Sequence, residues 1–319
     1  MSKLIDNLID DVRMLTENET FDDEVGLNEE ELLLFLNQGL KRIHSKIISN
    51  NSEAPIFTAE QTISISSDTE SYDLSYKAHR GNRVLMVEYS HDSDADNYYP
   101  LNLISAHQRD TGANGFPDGY FIRNSKIYLS ATPQDSTGSL RVTYIKRARQ
   151  LDKRRGQVEA IEGTATVPTA LEVADVNGLT TDQSEINKRS YITVVDAQGV
   201  IKMANIPISS TQTTSLSDAE ATFQVNVDTS NHSAESGESI AVGDYILSGR
   251  YVSTHLEEDD LEDYVREFGV YKVLKRDSSV DVMEAIQELS QLEQELVESF
   301  TDNSNDISNI PDINSDWEF

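Results

Sequence analysis

"GFPDGYFIRNSKIYLSATPQDSTGSLRVTYIKRARQ" occupies residues 115–150, and its reading decides the fold class. Apolar and aromatic residues alternate with polar ones over 119–130, break at "ATPQDSTG", and alternate again over 138–147. A period of two places successive side chains on opposite faces of a strand. Pro133 and Gly138 supply the chain reversal between the two runs, so the stretch reads as a stiff hairpin. It ends in "KRARQLDKRR" (146–155), with six bases and one acid.

The same period extends upstream through "QTISISSDTESYDLS" (61–75), "RVLMVEYS" (83–90) and "YYPLNLIS" (98–105). Residues 51–155 therefore read as one β module. A second β-rich block, 156–252, has turn signals at roughly ten-residue intervals, the pattern of a small sandwich or barrel. It is rich in Ser, Thr, Asp and Asn and poor in aromatics, which predicts thin, solvated strands.

Helical spacing brackets these blocks. Leu4, Ile5, Leu8, Ile9, Val12 and Leu15 share a face of a helix over 2–16, with Ser2 as its N-cap. Asn28 and Glu31 form a capping-box pair that opens a second helix, and Leu32–Leu36 is apolar all round, which predicts burial on several sides. After 253, Leu261, Tyr264, Val265, Phe268, Tyr271 and Leu274 form one stripe. Met283, Ile286, Leu289, Leu292, Leu296 and Phe300 form another. Gly269 inside the first of these costs about 1 kcal/mol relative to Ala, so a close helix contact is expected there. The organisation is α+β: helices 1–50, β module 51–155, inserted β domain 156–252, helices 253–300 in one layer with the first pair, and a disordered acidic tail 301–319. That tail carries Pro311 and ends in Trp317-Glu318-Phe319, with the only Trp of the chain.

Net charge is −30 over 319 residues, from 56 acids against 26 bases. A surface this acidic does not wrap nucleic acid by phosphate neutralisation, and it holds copies apart. No cysteine is present, which excludes disulfides and thiolate chemistry. No stretch approaches the roughly 20 apolar residues of a membrane span. The first residues do not read as a signal peptide, so no membrane anchor and no export by the Sec route are expected.

No phosphate-binding glycine loop, nucleophile elbow or paired-histidine zinc motif occurs, and the six histidines are scattered. "HDSDADN" (91–97) resembles a calcium loop but lacks its central glycine, and Asn102 stands where the closing Glu belongs. It reads as a solvated turn. No catalytic, cofactor-binding or metal site is expected. Among so many acids a neighbouring carboxylate pair arises by chance, so a glycan-cleaving hydrolase has little support.

On these residues the chain resembles head-to-tail adaptors of tailed phages, of the tail tubular A and tail accessory factor types. The resemblance is carried by "LNEEELLLFLNQGLKRIHSKI", "SYDLS", "YYPLNLIS" and the run from Gly115 through Pro117, Tyr120, Ile122, Ile127, Leu129 and Pro133 to Tyr144. "LEDYVREFGVYKVLKRDSSVDVMEAIQEL" (261–289) is similar to the adaptors' closing helix pair. Block 156–252 and the acidic tail depart from the minimal pattern.

The resemblance implies a structural, non-enzymatic virion protein at the neck, assembled in the host cytoplasm. Its copies form a ring, dodecameric in such adaptors, between the portal protein and a downstream tail or nozzle protein. Genomic DNA passes through the ring without sequence-specific binding. Pro311, Trp317 and Phe319 then become candidates for portal docking. Lys146, Arg147, Arg149, Lys153, Arg154 and Arg155 become a candidate intersubunit or portal patch. Reversing charge at Arg154 and Arg155 is expected to weaken the ring and leave the monomer folded. The competing reading is a tail-surface module, fibre- or baseplate-associated, whose β domain binds glycan or protein.

Overall fold

A computed structural model of the chain describes residues 4–16, 28–51, 57–79, 84–91, 97–108, 114–134, 138–174, 191–207, 221–224, 239–276 and 282–305. It is mixed α+β, as expected, and forms two compact units. One unit comprises Met1–Ile43 with Arg149–Leu296, the other His44–Ala148 with the chain from Val297.

In the unit beginning at His44, eight strands form two four-stranded sheets. They are β1 (Thr58–Ser64), β2 (Ser71–Asp73), β3 (Val84–Ser90), β4 (Tyr99–Pro100), β5 (Asn102–Leu103), β6 (Gly119–Arg123), β7 (Lys126–Leu129) and β8 (Ser139–Ile145). The sheet orders are β1-β8-β3-β4 and β2-β7-β6-β5. The expected hairpin between 119–130 and 138–147 is not formed. β6 folds back on β7 through Asn124 and Ser125, both at positive φ, while β8 lies between β1 and β3 in the other sheet. Two residues at positive φ make the tight turn whose twist matches a hairpin, and Asn tolerates that conformation. The period-two pattern is indifferent to which sheet a strand joins. One core cluster draws residues from both sheets, among them Tyr72, Tyr89, Tyr120 and Tyr144 with Val87, Ile127, Leu140 and Val142.

The other unit contains α1 (Ile5–Thr16), the first part of α2 (Glu29–Asn50), α3 (Glu262–Leu274) and most of α4 (Met283–Asn305). α1 buries Ile5, Leu8, Ile9 and Val12 as its spacing predicts. Its last buried residue is Thr16, whose hydroxyl donates to the Val12 carbonyl at 2.7 Å, and Leu15 faces out. Thr16 continues the four-residue row from Val12, which Leu15 leaves. The Glu31 amide donates to Asn28 Oδ1 at 2.8 Å, so the expected cap is made. Ser2 lies outside the described residues.

N- and C-terminal helices share one layer. A Cβ on Gly269 of α3 would stand 3.0 Å from Leu36 and 3.1 Å from Val12, which is the close contact that the buried glycine implied. A Cβ on Gly39 of α2 would stand 3.0 Å from Phe268.

The same unit holds β9 (Gln150–Leu151), β10 (Gly156–Thr164), β11 (Val167–Ala174), β12 (Tyr191–Val195), β13 (Ile201–Pro207), β14 (Ala221–Gln224), β15 (Tyr245–Ser248) and β16 (Val252–Ser253). Six of them make an antiparallel sheet in the order β13-β12-β15-β10-β11-β14, with the extra residues of its register shifts in β10, β11 and β13. Bulges bend strands. The expectation of thin, solvated strands is corrected here: Val158, Leu171, Ile192, Val194, Met203, Ile206 and Ile246 form a fully buried aliphatic cluster. The composition misled because an average over the block hides the apolar residues that cluster within its strands. β9 and β16, the entry to this sheet and the exit from it, pair in parallel. Asn37 of α2 clamps β9: its Nδ2 donates to the Leu151 carbonyl and its Oδ1 accepts from the Leu151 amide, both at 2.8 Å.

Candidate functional site

The basic cluster begins where β8 ends. Within their unit, the Lys146 amide donates to Phe57 O at 2.7 Å and the Arg147 amide to Lys77 O at 2.9 Å. Both side chains are half-buried.

The remaining four cations belong to the helical unit, and each is engaged there. Arg149 reaches Glu257 at 3.0 Å and lies 4.6 Å from the Tyr251 ring centre. Arg154 donates to the Ala197 carbonyl at 2.7 Å and lies over Tyr245. Lys153 Nζ is 2.8 Å from Glu29 and 3.2 Å from Glu30. Arg155, whose side chain is 6% exposed, takes Asp152 on one side and Glu30 on the other. Asp152 Oδ2 also accepts from the Ser248 amide at 2.6 Å.

The result is a run of alternating charge, Asp152–Arg155–Glu30–Lys153–Glu29, that ties the first turn of α2 to the start of β10 and the end of β15. Acidic side chains also suit that helix terminus, where backbone N–H groups point outward. Hydrogen bonds from Lys153 and Arg155 hold Glu29 and Glu30, respectively, below the ordinary carboxylate range. Burial pushes Asp152 upward, against the pull of Arg155 and the Ser248 amide. Burial also opposes the charge on Arg155, but Glu30 and Asp152 outweigh it and hold the guanidinium firmly protonated.

The expectation that Arg155 can be reversed while the monomer stays folded is therefore corrected. A third carboxylate between Asp152 and Glu30 would leave three acids with Lys153 as the near cation, and like charges at short range in a poorly hydrated site are costly. The sequence signal for this arrangement was present in "LNEEE" and "LDKRR", two short blocks of opposite charge. What was missing was their proximity in space.

Pro311, Trp317 and Phe319 lie outside the described residues, as do 92–96 of the "HDSDADN" stretch. Among the described residues, no group of three or more His, Asp or Glu is placed to hold a metal ion. No helix among them is long and apolar enough to cross a membrane.

The expected burial of Leu32–Leu36 on several sides is corrected at Leu34 of α2, which is 54% exposed while Leu32, Leu33 and Leu36 are buried. On α4 the predicted stripe is buried at Leu289 and Phe300, yet Met283 and Ile286 are 59% and 41% exposed. In the other unit Tyr99, Leu103 and Phe116 are also exposed, and the Phe116 ring meets Tyr89 edge-on at 4.8 Å. A single helix stripe gives no means of telling where the covering partner stops.

Residues 4–155 match the family model described as SU10 adaptor protein. Over these residues, which run from the start of α1 through the last cation of the basic cluster, the chain is similar to phage adaptors. No curated protein matches it. The similarity supports a structural component of a phage virion that works with other head and tail proteins, in agreement with the resemblance drawn from the sequence.

Proposed function

We propose that this chain is the subunit of a ring, dodecameric as in the adaptors it resembles, which joins the portal to the tail and conducts the genome between them. The observation that carries the reading is the match of residues 4–155 to an adaptor family, which covers both N-terminal helices and the β module that follows. Charge supports it. The cations of 149–155 are spent on the chain's own acids and on Ala197. A lumen with such a surface repels phosphates within a Debye length of about 8 Å rather than gripping them. The role assigned is structural, with no catalytic group.

Residues 156–252 are read as an insertion on the adaptor core. The adjacency of β9 and β16 supports this, because it lets a domain enter and leave at one place. Residues 301–319 are assigned to portal docking, with Trp317 and Phe319 as anchors, since buried aromatics dominate the binding energy of small interfaces.

The test is to mix the protein with the portal protein from the same genome and image the mixture by negative stain. A ring of this chain capping one end of the portal is the expected result. No association, or free trimers, would overturn the reading in favour of a tail-surface module. A chain ending at Phe300 is expected to lose portal docking, and unchanged docking removes Trp317 and Phe319 from that role.

A further inference from the structure

Copies that carry −30 each need a specific reason to associate. Two outward faces of the helical unit supply one. On α2, Leu34 and Lys41 lie seven residues apart, about two turns, and so share a face. Both are exposed. The acids at the start of that helix are already neutralised, Glu29 and Glu30 by Lys153 and Arg155 and Glu31 by Arg276 at 2.7 Å. What α2 presents beyond its first turn is therefore apolar and basic.

The first turns of α4 are the reverse. Ile286 continues the stripe of Leu289 but stays exposed, and Glu284 and Glu288 stand in the same turns. No Lys or Arg follows Arg276 anywhere in the chain, so α4 has no base of its own. Within the chain, it meets α2 through Arg42, which reaches Glu293 at 3.0 Å.

We propose that the Leu34–Lys41 face of α2 on one copy receives the first turns of α4, around Ile286, from the next copy. The apolar residues cover one another, and Lys41 meets the acids of a helix that has no base. The two faces are different, so the contact is head-to-tail, the type that closes into a ring when the rotation permits. A second copy suits the α4 turns better than the chain's own end, since Asp306, Asp312, Asp316 and Glu318 would bring like charge to Glu284 and Glu288. This inference rests on the ring reading above.

The test uses two full-length variants, Leu34→Asp and Ile286→Asp, each with one face spoiled. Masses are measured by mass photometry at physiological salt, alone and with the portal protein. Wild type is expected to form large assemblies and each variant to remain at 35.6 kDa. A 1:1 mixture of the variants should give a species of twice that mass, because one intact α2 face meets one intact α4 face. That rescue also shows that both variants are folded. Variants that assemble like wild type, or a mixture that stays monomeric, would overturn this interface and leave the ring reading standing. Wild type that is monomeric even with the portal would overturn the ring reading itself.

Discussion

α2 and α4 are nearly equal in length, 22 and 23 residues, and both carry apolar stripes at helical spacing, yet the fold treats them oppositely. α2 is held at its first turn by ion pairs from its half-exposed Glu29 and Glu30 to the buried Lys153 and Arg155, at Asn37 by a two-way hydrogen bond to Leu151, and at Gly39 by Phe268 pressed against its backbone. α4 is anchored near its middle through Glu293, which accepts from Arg42 and from Tyr264, while its opening turns expose Ile286. One helix is fixed by polar partners placed at particular positions. The other keeps part of its stripe available. Stripe and length alone do not decide a helix's role; the groups at its ends and flanks do.

The comparison can be broken most sharply at Arg155. Arg155→Met leaves Asp152 and Glu30 without their shared cation, and removing one partner of a buried pair costs about 3–5 kcal/mol. Denaturant unfolding is expected to show that loss, and Asp152→Asn added to Arg155→Met should recover part of it. A loss below about 1 kcal/mol would mean that the charge run does not hold α2. Leu36→Ala empties a fully buried position against α3 and should cost about 2–5 kcal/mol. Asn37→Ala strips both hydrogen bonds from the Leu151 peptide. The expected cost is about 1–3 kcal/mol, the penalty for unsatisfied buried groups, read from the same unfolding curves.

Acidity gives a gentler test of the same end of α2. Glu29 and Glu30 titrate below their unfolded values, so their stabilisation is complete above the ordinary carboxylate range and is lost as pH falls through the folded values. Asp152, pushed upward, works in the opposite sense. Melting temperature should fall on acidification, and Glu30→Gln should flatten that dependence. The smallest effect belongs to α4: Ile286→Ser is expected to change monomer stability by no more than about 0.5 kcal/mol, as exposed positions do. A large loss there would show that the opening of α4 is fastened to its own chain after all.

Much of the fold was legible because short-range chemistry writes it. The Asn28–Glu31 cap, the row Ile5-Leu8-Ile9-Val12 and the demand of Gly269 for a close neighbour can each be read from a few adjacent residues, and each is present. The hairpin at 115–150 was misread for the same reason. Its alternation fixed two faces but not which strand lies beside which, and the Asn124-Ser125 turn was overlooked inside an apparently continuous strand. The candidate site was half legible. Six cations in ten residues stood out, but whether they faced a partner or the chain itself depends on where Glu29, Glu30 and Glu257 lie, more than a hundred residues away in sequence.

By itself the sequence determined the class: helices at both ends, strands between them and an acidic composition. These follow from periodicity, capping and composition, which act over a few residues or over the whole chain. The tertiary structure alone decided the partition of strands between two sheets, the inward use of Arg149, Lys153, Arg154 and Arg155, and the exposure of Leu34 and Ile286. Each of these depends on distances between segments far apart in the chain, where charge pairing and burial act through space and leave no local signature.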